Sequence, residues 1–137
     1  MSAALPPSQR SVPQHALVAL LVLACAITVA LQTASPARAV MLLAIAPWLE
    51  EAVFRAGLQE RLLRSGRRPW LCIVLTALIF AVAHMLARQQ WSAITFMLPA
   101  VAIGAIYQRT RSVTACAVAH AAMNGLWLAL ASRGLPL

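Results

Sequence analysis

Acidic residues are scarce in this chain, and two of them are adjacent in an apolar stretch. The 137 residues include eleven basic residues, all arginine, but only three acidic ones, and Glu50 and Glu51 lie side by side. A charge at the centre of a bilayer costs about 2.5–3.5 kcal/mol on insertion scales, so such residues are rare and usually functional. A carboxylate in apolar surroundings is suited to accept a proton from water. The pair therefore indicates acid–base chemistry.

The two glutamates are expected to have different partners. Glu51 and Arg55 are four residues apart, so they share a helix face and can form an ion pair. Glu50 points about 100° away around the same helix and has no local partner. Pro47 cannot donate a backbone hydrogen bond and should kink the helix or begin a new segment beside the pair. A structural ion pair explains Glu51 and Arg55 but not Glu50, which favours a functional role for the group.

Further polar side chains occur in two later apolar runs. His84 follows Phe80 by four residues, and His120 and Asn124 are also four apart. Singly, each histidine could pack in a core, and His120 with Asn124 could join two helices through hydrogen bonds. Together with Glu50 they predict one shared polar pocket. At 1.5 Å per residue, Glu50 and His120 lie near mid-depth, whereas His84 lies about 9 Å away along the membrane normal.

Long apolar runs must position these side chains. Hydrophobic residues make up 62% of the chain and charged residues 10%, which excludes an ordinary soluble domain. Five runs reach the roughly 17–25 residues that a membrane helix needs. They cover residues 15–34, 39–63, 69–87, 91–108 and 112–131. We predict a single all-α bundle of about five transmembrane helices over residues 15–131, with a polar tail at 1–14 and a short tail at 132–137.

The arginines predict the orientation of this bundle. The formal net charge is +8, and the arginines fall mostly between the apolar runs. There they anchor to headgroups and set the topology, so no nucleic-acid partner is expected. Seven arginines on one side against three on the other place the N-terminus in the cytoplasm. The alternative for the first run is a cleaved secretory signal, since Ala37-Arg38-Ala39 resembles a cleavage site.

Three motifs together resemble a known family of membrane proteases. In order along the chain they are Glu50-Glu51-x-x-x-Arg55, Phe80-x-x-x-His84 and His120-x-x-x-Asn124. They are similar to the signature motifs of the CPBP intramembrane proteases, also called the Abi or type II CAAX prenyl endopeptidase group. The match covers residues 50–124 and places each motif in a separate predicted span. The resemblance implies a glutamate-dependent peptidase whose active site lies inside the membrane.

The resemblance also implies residue roles. Glu50 and His84 would activate a water molecule, and His120 and Asn124 would stabilise the oxyanion. The implied site residues are Glu50, Glu51, His84, His120 and Asn124 as the catalytic group, with Arg55 and Phe80 in support. No cofactor is expected. The partners would be the lipid bilayer and a membrane-tethered protein or peptide substrate, in a bacterial plasma membrane. Relatives carry more helices, which leaves open a homo-oligomer or an accessory membrane partner.

Three other interpretations stay open. One glutamate and two histidines could hold a zinc ion with an open water position, although no H-E-x-x-H motif is present. Cys116 shares a helix face with His120 and Asn124 and mimics a Cys-His-Asn peptidase, although one straight helix cannot easily surround a scissile bond. A non-enzymatic membrane protein, such as an immunity factor, a scaffold or a proton-relay subunit, would also use intramembrane glutamate and histidine.

Overall fold

The part of the chain that the structure describes is helical almost throughout. The computed structural model describes residues 35–133, and no strand occurs among them. Helix α1 is continuous over residues 36–64, α2 spans Pro69–Arg88, α3 spans Trp91–Thr110 and α4 spans Val113–Ala131. The predicted all-α class is confirmed for these residues.

Three of the helices, α2, α3 and α4, are long and apolar enough to cross a membrane. At most 28% of each apolar window is buried inside the bundle, so most of its apolar surface is left to lipid. Their bounds lie within two residues of the predicted runs. The predicted run at 39–63 corresponds to α1, which is not among those three, and the run at 15–34 lies outside the described residues. The total of five spans and the cytoplasmic N-terminus therefore stay predictions.

Helix α1 buries one row of residues at intervals of four. The row consists of Ala39, Leu43, Pro47, Glu51, Arg55 and Gln59. In a regular α-helix four residues turn through about 400°, so such a row would drift by about 40° at every step. Two wider π-helical stretches, Met41–Ile45 and Ala52–Gln59, contain more residues per turn and offset this drift. The same face of α1 therefore stays against the bundle along its length.

Pro47 explains a free carbonyl group in the middle of α1. The α-helical parts of α1 are Pro36–Val40, Ala46–Glu51 and Glu60–Arg64, and Pro47 stands at the start of the second. At the end of the first π-helical stretch the backbone N–H of Ala46 donates five residues back, to Met41. In the same pattern residue 47 would donate to Leu42, but proline has no N–H. The Leu42 carbonyl is thus open to another donor.

The helices pack as an antiparallel bundle. Helix α2 contacts α3, α3 contacts α4, and α1 packs against both α2 and α4. The connections between successive helices are short, which makes neighbours antiparallel. Small buried residues let the backbones approach closely. They are Ala77 and Ala81 of α2, Ala100 and Gly104 of α3, and Ala117 and Ala121 of α4.

The two ends of the bundle carry different numbers of arginines. Among residues 35–133, the three-arginine end has Arg38, Arg88 and Arg133, and the six-arginine end has Arg61, Arg64, Arg67, Arg68, Arg109 and Arg111. Glu60 lies at the six-arginine end. It accepts hydrogen bonds from Arg64 Nε at 3.0 Å, Arg111 Nη1 at 2.7 Å and the Tyr107 hydroxyl at 3.2 Å. These contacts tie α1 to α3 and to the start of α4.

Candidate active site

A cavity of about 390 Å³ opens among the four helices. Its polar lining includes Glu50 from α1, His84 from α2, and His120 and Asn124 from α4. The apolar part of the lining comprises Leu42, Ala46, Phe80, Phe96, Pro99, Ala100, Ile103, Met123 and Trp127. The structure thus brings four motif residues from three helices into one polar pocket with apolar walls, an arrangement typical of small-molecule and peptide sites.

Glu50 lies between two imidazole rings. Its Oε2 atom is 3.7 Å from Nε2 of His84 and 3.7 Å from Nε2 of His120. Both separations are too long for a direct hydrogen bond, and a shared water molecule could bridge each of them. Oε2 is buried without a hydrogen-bond partner among residues 35–133, although 28% of the Glu50 side chain is exposed. The carboxylate therefore has an oxygen available for a proton from water.

The ring of His84 is oriented by its own helix. Its Nδ1 atom donates to the Phe80 carbonyl oxygen at 3.0 Å, because a carbonyl can only accept. The ring stacks on Phe80 with centroids 4.2 Å apart and meets Phe96 edge-on at 5.6 Å. With the proton on Nδ1, the neutral ring presents Nε2 as an acceptor toward Glu50. The Phe80 and His84 spacing of four residues is what allows both contacts.

The ring of His120 is oriented by Glu51. Its Nδ1 atom donates to Glu51 Oε1 at 2.8 Å, so that Nε2 faces Glu50. The second oxygen of Glu51 accepts from Arg55 Nε at 2.7 Å. Glu51 is completely buried and does not line the cavity. Its carboxylate is thus occupied on both oxygens, and it holds the His120 ring in its orientation.

A chain of buried polar contacts continues behind Glu51. Arg55 Nη1 donates to Gln59 Oε1 at 3.3 Å, and Gln59 Nε2 donates to the Gly104 carbonyl at 3.0 Å. Arg55 and Gln59 are both completely buried. A Cβ atom at Gly104 would lie 3.0 Å from a side-chain atom of Ile73 and 3.3 Å from Gln59 Oε1, so glycine permits this close approach. We call the set Glu51, Arg55, Gln59 and Gly104 the buried network.

Asn124 connects α4 to the free carbonyl of α1. Its Nδ2 atom donates to the Leu42 oxygen at 2.9 Å, which supplies the hydrogen bond that Pro47 cannot make. An amide nitrogen carries two hydrogens, so the second remains available to the cavity that Asn124 lines. Asn124 is one helical turn from His120, and the two side chains can present donors to one oxygen atom.

The geometry of the site agrees with part of what the sequence predicts. The Glu51–Arg55 ion pair is present, as its spacing predicts. The offset of about 9 Å expected for His84 along the membrane normal does not keep its ring from the site, because its Nε2 lies 3.7 Å from Glu50 Oε2. Cys116 is buried, donates to the Ile103 carbonyl at 3.7 Å and does not line the cavity. Within residues 35–133 no group of three His, Cys, Asp or Glu side chains is arranged to hold a metal ion.

Two members of the buried network, Gln59 and Gly104, lie outside the three sequence motifs. Gln59 continues the four-residue spacing of Glu51 and Arg55, which was a usable signal for a third polar residue on the same face. Gly104 carried no such signal, because its importance comes from contacts with a helix 45 residues earlier in the chain. Arg38 and Arg88 also line the cavity, although the sequence suggested only headgroup anchoring.

Comparison with known proteins gives one family. Residues 32–126 match the family model described as Type II CAAX prenyl endopeptidase Rce1-like. This range includes all three motifs. It also includes the four polar lining residues Glu50, His84, His120 and Asn124. Comparisons with curated proteins and with solved structures gave no match.

Proposed function

The chain belongs to the Rce1-like family of type II CAAX prenyl endopeptidases, and from this membership we propose that it hydrolyses a peptide bond of a membrane-associated protein or peptide precursor inside the bilayer. The observation that carries the proposal is the position of Glu50 Oε2, 3.7 Å from Nε2 of both His84 and His120 in one cavity. The site would work without a cofactor, in a bacterial plasma membrane.

The water is activated between Glu50 and His84. A water molecule that donates one hydrogen to Glu50 Oε2 and the other to His84 Nε2 keeps an oxygen lone pair free for the substrate. Glu50 takes the proton as the water oxygen bonds to the carbonyl carbon. His84 acts as the orienting acceptor, because its Nδ1 proton is engaged by the Phe80 carbonyl.

The charge that develops on the carbonyl oxygen is stabilised from α4. Nε2 of His120, when protonated, and the second amide hydrogen of Asn124 donate to this oxygen. Glu51 supports the donor role of His120, because its carboxylate compensates positive charge at Nδ1, 2.8 Å away. The Glu50 carboxyl group then returns its proton to the amide nitrogen as the C–N bond breaks, which releases an amine and a carboxylic acid.

Co-expression with candidate precursors tests the proposal. Cells that express the parent chain are expected to convert a membrane-tethered precursor, and cells that express Glu50→Gln or His84→Ala are expected to leave it intact. Immunoblots of the precursor report the conversion. The purified protein should keep its activity in a chelator and contain no stoichiometric zinc. An intact precursor with the parent chain would point to a non-enzymatic protein, and loss of activity in chelator would point to zinc.

A further inference from the structure

Two arginines line the same cavity as the proposed reacting groups. Arg38 of α1 and Arg88 of α2 belong to its lining, and both lie at the three-arginine end of the bundle. Arg133, at the same end, does not line the cavity. Headgroup anchoring explains an arginine at a bilayer surface, but it does not explain why two of three are directed to one cavity.

No acidic side chain of the chain neutralises this pair. The sequence contains only three carboxylate side chains. Glu51 pairs with Arg55 and His120, and Glu60 pairs with Arg64 and Arg111 at the opposite end. Glu50 lies between the two histidines. Within residues 35–133, neither Arg38 nor Arg88 forms an ion pair, so the cavity lining carries two positive charges, at these arginines, against one negative charge, at Glu50.

The two arginines lie at different distances from the proposed reacting groups. Arg88 is one turn, or about 6 Å, beyond His84 along α2, and its guanidinium carbon lies 5.0 Å from the centroid of Phe96. Phe96 in turn contacts the His84 ring. Arg38 lies about 18 Å from Glu50 along α1, in a row with Leu42 and Ala46 that lines the cavity. The cavity thus runs from the water site to the arginines.

From this geometry we propose that Arg38 and Arg88 form an anion-binding subsite where the cavity reaches the three-arginine end of the bundle, and that this subsite holds a carboxylate or phosphate group a few residues from the bond that is cleaved. The inference rests on the proposed function, because it takes the cavity as the place of hydrolysis. An extended peptide covers about 3.3 Å per residue, so an anion held here lies roughly two to five residues from the reacting carbonyl. Guanidinium groups bind both anions through paired, charge-assisted hydrogen bonds.

Peptide binding tests whether the substrate supplies the anion. The probe is a short, fluorescently labelled apolar peptide with a free carboxylate, compared with the same peptide as a C-terminal amide. Glu50→Gln protein in phosphatidylcholine nanodiscs prevents hydrolysis during the measurement. The acid should bind at least about tenfold more tightly than the amide. Arg38→Gln and Arg88→Gln should each reduce this preference, and Arg133→Gln, which removes the same charge from the same end, should retain it.

Lipid binding tests the other source of the anion. Native mass spectrometry would count the phosphatidylglycerol molecules retained by the parent protein and by the three arginine variants. If Arg38→Gln and Arg88→Gln lose a retained lipid, Arg133→Gln keeps it, and the peptides show no preference for the acid, the subsite is supported with a lipid headgroup as its anion. Equal behaviour of all three variants in both measurements would overturn the proposal. Because neither measurement requires cleavage, a chain that processes no precursor fails the proposed function without affecting this result.

Discussion

Two neighbouring glutamates of α1 have opposite surroundings. Glu51 is completely buried, and both of its oxygens are occupied, by Arg55 and by His120. Glu50 faces the cavity, and its Oε2 has no hydrogen-bond partner among the residues described. The difference arises from one residue of helical rotation, since the row that contains Glu51 faces the bundle and the row with Glu50 lines the cavity.

The contrast separates positioning from reaction. Burying an ion pair gives little net stability, because the desolvation of both groups offsets their attraction, yet removal of one partner leaves a costly unpaired charge. Such a network holds side chains in fixed positions, and here it holds the ring of His120. A carboxylate oxygen without a partner makes no stabilising contact, but it can exchange a proton with water. The same substitution at the two positions should therefore have different consequences.

Glu50→Gln should have the largest effect on activity. The amide cannot take a proton from water, so the rate of precursor cleavage should fall by about 10²–10⁴-fold, the usual contribution of a general base. The thermal midpoint of the purified protein should stay close to that of the parent, because no hydrogen bond to Oε2 is lost. A quantitative cleavage assay and thermal unfolding in detergent measure the two effects. If Glu50→Gln had a much lower thermal midpoint than the parent, Glu50 would contribute to stability as Glu51 does, and the proposed difference between the two glutamates would be wrong.

Glu51→Gln is the matched change on the buried side. It leaves the completely buried Arg55 without a charged partner, so the free energy of unfolding should fall by about 3–5 kcal/mol. Reversible unfolding in mixed micelles measures this change. Activity should also fall, because the His120 ring loses the acceptor at Nδ1. If Glu51→Gln lost activity at unchanged stability, Glu51 would belong with the reacting groups and not with the buried network.

The sequence predicted much of this arrangement through spacing within single helices. The apolar runs predicted α2, α3 and α4 to within two residues, and the interval of four predicted the Glu51–Arg55 pair. Straight-helix arithmetic assigned each residue a depth from its own span alone, so it did not predict that the His84 ring lies 3.7 Å from Glu50 Oε2. Contacts between helices, such as Asn124 with Leu42 or Gln59 with Gly104, have no signature within either segment.

Asn124→Ala extends the comparison to the cavity face of α4. Loss of one oxyanion donor commonly lowers the rate by about 10²–10³-fold. The change also leaves the Leu42 carbonyl without its donor, which should cost about 1–3 kcal/mol of stability. Cleavage rates and unfolding of the same preparation separate the two losses. An Asn124→Ala protein with a parental rate would show that the amide only joins α4 to α1.

Gly104→Ala should have the smallest effect, and it acts only through the buried network. The new methyl group would lie 3.0 Å from Ile73 Cγ2, 3.3 Å from Gln59 Oε1 and 3.4 Å from Arg55 Nη1. Overpacking of this kind typically costs about 1–3 kcal/mol. Displacement of Gln59 and Arg55 should reach His120 through Glu51 and lower the cleavage rate by less than Asn124→Ala does.

Gly57→Ala provides the control for this substitution within α1. A methyl group there meets only the Ala52 carbonyl at 3.6 Å, and Gly57 is exposed on its helix. The helix preference of alanine over glycine should then leave the protein unchanged or more stable by about 0.5–1 kcal/mol. If Gly104→Ala were equally harmless in unfolding and cleavage assays, the buried network would tolerate displacement. The hypothesis that Glu51 holds His120 rigidly in place would then be wrong.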